Sequence, residues 1–180
     1  LQPALDEVLV RVNVGGGRVS LPKDRPSLSW ASGAFIEGGL KQISAEDMER
    51  VLAAKMYGAR FSVADDALVL SGETRTDDLE TQLQILTAYV AEPGWRPEAF
   101  QQVKSRGKTI HDQFEATDGG VLSRDLAVLI HGGDARWAFP TRDQIAQAKL
   151  EDFRNQVGPD LATGPIEVVI VGDITAEKAI

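Results

Sequence analysis

The chain has 180 residues, 43% of them hydrophobic and 26% charged, which is ordinary for a globular protein with one sizeable core. Its formal net charge of −8 disfavours a broad contact with nucleic acid or an anionic membrane, because both attract cationic surfaces. The absence of cysteine excludes disulfides and thiolate metal sites, and no apolar run reaches the ~18 residues of a membrane-spanning helix.

The first predicted element is a strand in which valine occupies every second position from Val8 to Val14, the period-2 pattern of a half-buried strand. Gly15-Gly16-Gly17 ends it. Because neither a Lys-Ser/Thr pair nor a helix start follows these glycines, they indicate a structural turn rather than a phosphate-binding loop. The small apolar residues from 27 to 36 predict a helix that packs closely on the sheet.

A capped helix and a hairpin come next. Ser44 and Asp47 form an N-terminal capping pair for a helix whose buried face starts at Met48. Two short strands, at about 60–64 and 67–73, are joined at Asp65-Asp66 as a β-hairpin.

The middle of the chain predicts three consecutive helices. Asp77 and Glu80 have the spacing of a capping box for the first, Pro97 suits the first turn of the second, and the third follows Gly119-Gly120. Their predicted apolar faces are Leu79, Leu83, Leu86 and Val90; Phe100, Val103, Gly107, Ile110 and Phe114; and Leu122, Leu126, Leu129 and Ile130.

The last third of the chain predicts a helix capped by Thr141 and Gln144, a short helix around Phe153, and a strand over 166–171. Strands in a hairpin, a run of helices and a returning strand favour an α+β fold, with a mainly antiparallel sheet covered on one face by helices. The chain starts at Leu1 rather than Met, and residues 174–180 predict the start of a truncated helix. We therefore expect a fragment of a longer chain.

The two histidines are the obvious metal-ligand candidates. A catalytic zinc ion takes three protein ligands, and histidines at i and i+4 of a helix are the usual source of two. Neither His111 nor His131 has such a partner, so we expect surface or capping roles. An enzyme of unrelated chemistry built around either histidine is one open hypothesis. The paired carboxylates Asp65-Asp66 and Asp77-Asp78 coincide with a turn and a helix start, where acidic residues are expected anyway.

The segment from Gly132 to Pro140 is more distinctive. Arg136 lies beside Trp137 and Phe139 in a loop that enters a capped helix, and could present a cation and aromatic rings to a peptide. Alternatively, the two aromatic side chains fill a gap between two helices.

Taken in order, these segments resemble a domain of the M16 family of zinc metallopeptidases, the insulinase/pitrilysin-like group. The resemblance spans essentially the whole chain and implies a single M16-like domain over residues 1–180. The segments that carry it are Gly15-Gly16-Gly17 with its strand, Glu37-Gly38-Gly39-Leu40 with the helix at 44–53, the strands around Asp65-Asp66, residues 78–100 with Pro93-Gly94-Trp95-Arg96-Pro97, the loop at 133–140, and 168–173.

The resemblance also implies that this domain lacks the family's chemistry. Active members carry His-x-x-Glu-His on an early helix and a further zinc-binding Glu downstream. The two ligand histidines fall near Trp30 and Ala34, the catalytic base falls near Gly33, and the downstream Glu falls at Lys108-Thr109. None of these side chains can hold Zn²⁺ or activate its water, so we expect no catalytic residue and no metal here.

Ligand-less domains of the family are the non-catalytic partners of active ones, in the same chain or as a separate subunit. The expected function is therefore to wall the peptide chamber of a bacterial zinc endopeptidase, periplasmic or cytoplasmic, whose catalytic half carries the zinc. For this chain alone we expect no hydrolysis. Arg136, Trp137 and Phe139 are the expected peptide-binding residues, with Arg106 and Lys108 as further surface candidates. The alternative is a scaffold module with no role in proteolysis.

Overall fold

The computed structural model describes residues 6–24 and 26–179. The centre of the fold is an antiparallel sheet. Its strands there are β1 (Glu7–Val14), β2 (Arg60–Val63), β3 (Leu68–Arg75) and β4 (Ile166–Gly172). They lie in the order β2-β3-β1-β4, so β1 is flanked by β3 and β4. The predicted α+β class, with an antiparallel sheet and helices, is confirmed.

The valines of β1 set which face of the sheet is covered. Val8, Val10, Val12 and Val14 are all buried, whereas Arg11 on the opposite face is exposed. Successive side chains of a strand point to opposite faces, so one face packs against the helices and the other lies open.

The helices follow the predicted order. They are α1 (Gly33–Glu37), α2 (Ala45–Val51), α3 (Leu79–Ala91), α4 (Pro97–Glu115), α5 (Asp118–Ile130), α6 (Arg142–Gln147), α7 (Leu150–Thr163) and α8 (Ala176–Ala179). Short 3₁₀ turns occupy Arg18–Ser20, Leu28–Ala31, Thr76–Asp78 and Ala135–Trp137. Among the described residues, no helix combines the length and the hydrophobicity that spanning a lipid bilayer requires. The predicted helix start at 174–180 includes Ile180, which lies outside the described residues.

Two of the predicted helix caps are present. The Ser44 side chain accepts a hydrogen bond from the Asp47 backbone N–H at the start of α2. Thr141 and Gln144 form a full capping box at the start of α6, with each side chain bonded to the other residue's backbone N–H. These bonds satisfy N–H groups that have no partner within the first turn.

A group of aromatic side chains forms the centre of the core between the helices and the sheet. The Phe35 ring of α1 stacks on Phe61 of β2, with ring centres 4.2 Å apart, and lies edge-on to Trp95 at 5.4 Å. Trp95 in turn lies edge-on to Phe153 of α7 at 5.9 Å. The core therefore joins α1, α7 and the hairpin into one packed unit.

The start of α3 differs from the prediction. We expected Asp77 and Glu80 to form a capping box, but no side chain caps α3, which begins at Leu79 after a 3₁₀ turn. Asp78 is instead buried and bonds to the segment before β2, where it accepts from the Met56 backbone N–H at 2.9 Å. A capping-box spacing cannot show that a neighbouring carboxylate has a tertiary partner.

The apolar faces of α4 and α5 also differ from the prediction. We expected Ile110 to be buried and His111 to lie at the surface, but Ile110 is exposed and His111 is buried. Val103, Gly107 and His111 are four residues apart, which places them on one side of the helix. In α5 no residue is buried, and the four side chains predicted to be buried, Leu122, Leu126, Leu129 and Ile130, are exposed because no described element covers them.

The outer strand β4 presents an apolar, unpaired edge within the described sheet. Gly15 N–H donates to the Pro165 carbonyl, and Asp173 N–H donates to Glu7. By the alternation of an antiparallel ladder, the odd-numbered residues of β4 bond to β1, and the even-numbered residues point their backbone groups outward. Its valines are exposed, with Val168 at 50% and Val171 at 52% of full accessibility.

Candidate functional site

The segment expected to correspond to the zinc ligands is packed into the structure. Trp30 lies in the 3₁₀ turn before α1, and Gly33 and Ala34 form the first turn of α1. A Cβ atom built on Gly107 of α4 would lie 3.0 Å from two carbons of the Trp30 ring. The absence of a side chain at Gly107 therefore lets the indole lie directly on α4.

The position expected to correspond to the downstream glutamate carries no carboxylate. Lys108 is half-buried and Thr109 is exposed, and the Thr109 hydroxyl lies 3.4 Å from the Ser105 carbonyl oxygen. One turn earlier, Arg106 donates to the Glu37 carboxylate and so ties α4 to the end of α1. The two helices are thus joined by an ion pair.

The two histidines do not come together as metal ligands. The His111 ring nitrogens lie 3.8 Å from Asp112 and from Glu115, beyond hydrogen-bond distance. His131 caps the end of α5, with Nδ1 2.7 Å from the Ala127 carbonyl oxygen. Among residues 6–24 and 26–179, no group of three His, Asp or Glu side chains is placed to hold a metal ion.

Arg136 is held in place by its own loop. Its guanidinium bonds to both carboxylate oxygens of Asp134 and donates to the carbonyls of Val19 and Leu21. The hydrogen bonds from Arg136 lower the pKa of Asp134 to about 2, and the Asp134 side chain raises the pKa of Arg136. With only 7% of its surface exposed, Arg136 positions the loop against the turn at 18–21.

The neighbouring aromatic residues contact helices and remain partly exposed. The Trp137 ring stacks on His131 with centres 4.1 Å apart, and Phe139 lies edge-on to Phe114 of α4 at 5.2 Å. The guanidinium carbons of Arg136 and Arg18 lie 4.9 and 5.7 Å from the Trp137 ring centre. This spacing is within the range of cation–π contacts.

A pocket of about 200 Å³ lies between this loop, the 3₁₀ turns at 18–20 and 28–31, and the facing sides of α4 and α5. We call it the arginine pocket, because Arg18, Arg124 and Arg136 line it together with Trp30 and the loop aromatics. It brings the three predicted peptide-binding residues into one cavity. Arg106 and Lys108 do not line it.

Arg18, Trp30 and Arg124 are pocket residues that the sequence did not indicate as binding residues. Arg18 is separated from the loop by most of the chain, and no local spacing links the two. The only local signal was the cation beside aromatic residues at 136–139. Two larger grooves, of about 910 and 780 Å³, lie along α3 and between the segment at 20–28 and α7, and neither contains the predicted loop residues.

Known structures resemble the fold of the chain across nearly its whole length. No protein-family model and no curated protein matches the sequence. An inactive domain of an M16 peptidase from Pseudomonas fluorescens is 15% identical with a TM-score of 0.77, covering 99% of this chain and 44% of that one. The periplasmic protease PqqL from Escherichia coli is 17% identical with a TM-score of 0.72, covering 97% of this chain and 19% of that one.

A mutant of the ferredoxin protease FusC, solved in complex with Arabidopsis ferredoxin, gives a similar result. It is 16% identical with a TM-score of 0.71, covering 97% of this chain and 19% of that one. The chain therefore has the fold of an M16 peptidase domain, and it spans less than half of each of these structures. At the level of the fold, the resemblance predicted from the sequence is confirmed.

Proposed function

We propose that this chain is a non-catalytic M16-type domain that walls the peptide chamber of a bacterial zinc endopeptidase and helps to bind its peptide substrate. One observation carries the proposal. In a chain with the fold of an inactive M16 domain, the positions expected to hold the two zinc-binding histidines carry Trp30 and Ala34, and the position expected to hold the catalytic base carries Gly33. Trp30 packs against α4.

The chemistry of these side chains supports a role without catalysis. An indole ring, a hydrogen atom and a methyl group offer no lone pair to Zn²⁺ and cannot take a proton from a bound water. The zinc ion and the attacking water would therefore belong to a catalytic M16 domain, in the same chain or in a separate subunit. Arg136 would hold the shape of the binding loop, while Trp137 and Phe139 would contact the peptide.

Reconstitution tests this function. The purified chain should show no peptide hydrolysis with added zinc, and adding the separately expressed catalytic half should give activity that a chelator abolishes. In that mixture Trp137→Ala should change the preference among peptide substrates, whereas Arg50→Ala, on the exposed side of α2, should not. Chelator-sensitive hydrolysis by the purified chain alone would contradict the proposal.

A scaffold role is the second candidate function, and the uncovered face of α5 favours it. Its exposed leucines and isoleucine form an apolar surface that suits a permanent partner. A scaffold module would form a stable complex with the rest of its parent protein without any gain of peptidase activity. Size-exclusion chromatography of the mixture, with a parallel peptidase assay, separates the two functions.

A further inference from the structure

We infer that the arginine pocket binds a carboxylate group of a peptide, either a glutamate or aspartate side chain or the free end of the chain. The inference rests on the proposed function in taking a peptide as the ligand. It deepens that function by naming the chemical group recognised and the side chains that recognise it.

The charge of the pocket is opposite to that of the chain. Among the described residues, three arginines and no aspartate or glutamate line it, although the chain as a whole has a net charge of −8. Arg136 is paired with Asp134, and Arg124 forms two hydrogen bonds to Asp125, at 2.7 and 2.9 Å. These two arginines are largely neutralised by their neighbours.

Arg18 keeps the least compensated charge of the three. Its one ion pair among the described residues is to Asp65 at 3.9 Å, and the Asp65 side chain is 60% exposed. Its Nη2 atom donates to the Val63 carbonyl at 3.2 Å, which orients the guanidinium without neutralising it. A pair this long and this exposed to water contributes little, so Arg18 is available to a bound anion.

Two buried donors of the pocket residues lack acceptors. Arg18 Nε and Trp30 Nε1 are each buried, and neither has a hydrogen-bond partner in the described part of the chain. Buried N–H groups almost always have partners, because leaving one unsatisfied is costly. A carboxylate has two oxygens that only accept hydrogen bonds, so a carboxylate held against both nitrogens would satisfy both donors.

The size of the pocket suits one side chain or one chain end. Its volume of about 200 Å³ is below the ~300–1,000 Å³ of pockets for drug-sized ligands. The rings of Trp137 and Phe139 form apolar walls, where reduced access of water strengthens a charge-assisted hydrogen bond. Ser27, which caps the 3₁₀ turn at 28–31, and Ser29 within that turn supply further polar lining.

The indole resonances of the folded chain provide a direct test. The chain has three tryptophans, and Trp30→Phe identifies the Nε1–H signal of Trp30 in a proton–nitrogen NMR spectrum. We expect an acetylated, amidated peptide Ala-Ala-Glu-Ala-Ala to shift that signal in a saturable way, and the matching Gln peptide to leave it in place. The signal of Trp95, whose ring packs on Phe35 and Phe153, is the internal control.

A second pair of peptides distinguishes the two sources of the carboxylate. Acetylated penta-alanine with a free carboxyl end is compared with its amide, and a shift by either acidic peptide supports the inference. Equal shifts by the neutral peptides, or none by any peptide, would overturn it. Displacement of both acidic peptides by equimolar inorganic phosphate would overturn the carboxylate assignment and leave a general anion site.

Variants test the two donors one at a time. Trp30→Phe keeps an aromatic ring on α4 and removes the donor, and Arg18→Gln removes the charge. Each should raise the Kd of the acidic peptide at least tenfold in calorimetric titration. Arg142→Gln, which breaks an exposed ion pair with Asp112, should leave this Kd unchanged. Unchanged binding by folded Trp30→Phe would overturn the inference. All of these measurements use the chain without a catalytic half, so failure of the reconstitution would not affect them.

Discussion

At the scale of single residues, Asp78 is a buried carboxylate surrounded by donors. It accepts from the Met56 backbone N–H at 2.9 Å, from Lys55 at 2.9 Å and from Arg75 Nε at 2.6 Å. The bond from Met56, with that from Lys55, lowers the pKa of Asp78 to about 2. Asp78 thereby fixes the segment before β2 to the end of β3.

This lowered pKa predicts how stability falls in acid. An unfolded aspartate titrates near a pKa of about 3.9, so between pH ~4 and ~2 the unfolded chain binds more protons and the native state loses stability as the pH falls. Asp78→Asn should be less stable than the wild type at pH 6 and should lose less stability between pH 4 and 2. Urea unfolding at a series of pH values measures both effects.

The control for this prediction is Asp66→Asn, which alters an exposed carboxylate of the turn between β2 and β3. It should leave the acid dependence as in the wild type. Parallel curves for the wild type and Asp78→Asn over the whole pH range would contradict the role of Asp78.

The packing of Trp30 on Gly107 predicts that replacing this helical glycine by alanine destabilises the chain. In an exposed helix interior, replacing glycine by alanine stabilises by about 1 kcal/mol. At Gly107 the new Cβ would meet the Trp30 ring at 3.0 Å, and overpacking costs about 1–3 kcal/mol. We therefore expect Gly107→Ala to lower the free energy of unfolding, as measured by chemical denaturation.

Gly119 of α5 is the control, because a Cβ there would meet nothing within 4 Å. Gly119→Ala should stabilise the chain by up to about 1 kcal/mol. If both variants gained stability equally, Trp30 would not be packed on α4 as described.

At the scale of elements, the edge of β4 predicts self-association. Outward backbone groups and exposed valines form a template for pairing with another strand, and no charged side chain other than Glu167 interrupts β4. The purified chain should associate with increasing concentration in sedimentation velocity, and Val168→Lys should reduce this association. Val19→Lys is the control, since Val19 is exposed to a similar extent (51%) outside the sheet. If both substitutions reduced the association equally, the added positive charge would explain the reduction and the edge of β4 would not be responsible.

The elements also show what local pattern can predict. The alternating valines of β1 and the caps at Ser44 and Thr141 were predictable because each depends on residues a few positions apart. The exposure of the apolar face of α5 was not predictable, since an apolar stripe has the same spacing whether or not another surface covers it. Asp78 was not predictable either, because its partner Met56 lies 22 residues away.

At the scale of the whole molecule, the lack of zinc ligands at Trp30 and Ala34 predicts that zinc does not change the thermal stability of the chain. A metal that binds only the native state raises the melting temperature, and its removal lowers it. Because the described residues contain no group that could hold a metal, neither zinc nor a chelator should change the melting temperature of the chain. Calorimetry in metal-free buffer, with and without zinc, tests this. A shift that His111→Ala abolishes would reveal a site at that histidine.

The assembly of distant segments explains why the arginine pocket was only partly predictable from the sequence. Its loop residues lie together in the sequence, but Arg18 and Trp30 reach them only once the sheet and helices have assembled. No spacing in a single sequence encodes such a juxtaposition, whereas the neighbouring cation and aromatic residues at 136–139 are visible directly.

The bond from Arg136 to the Val19 carbonyl spans 117 residues of chain. Ordering so long an intervening stretch has an entropic cost, and contacts of high sequence separation form slowly. The pocket wall should therefore be among the last regions to become protected from hydrogen exchange during refolding. A polypeptide cut between the two ends would have to reassemble from both pieces before the pocket could form.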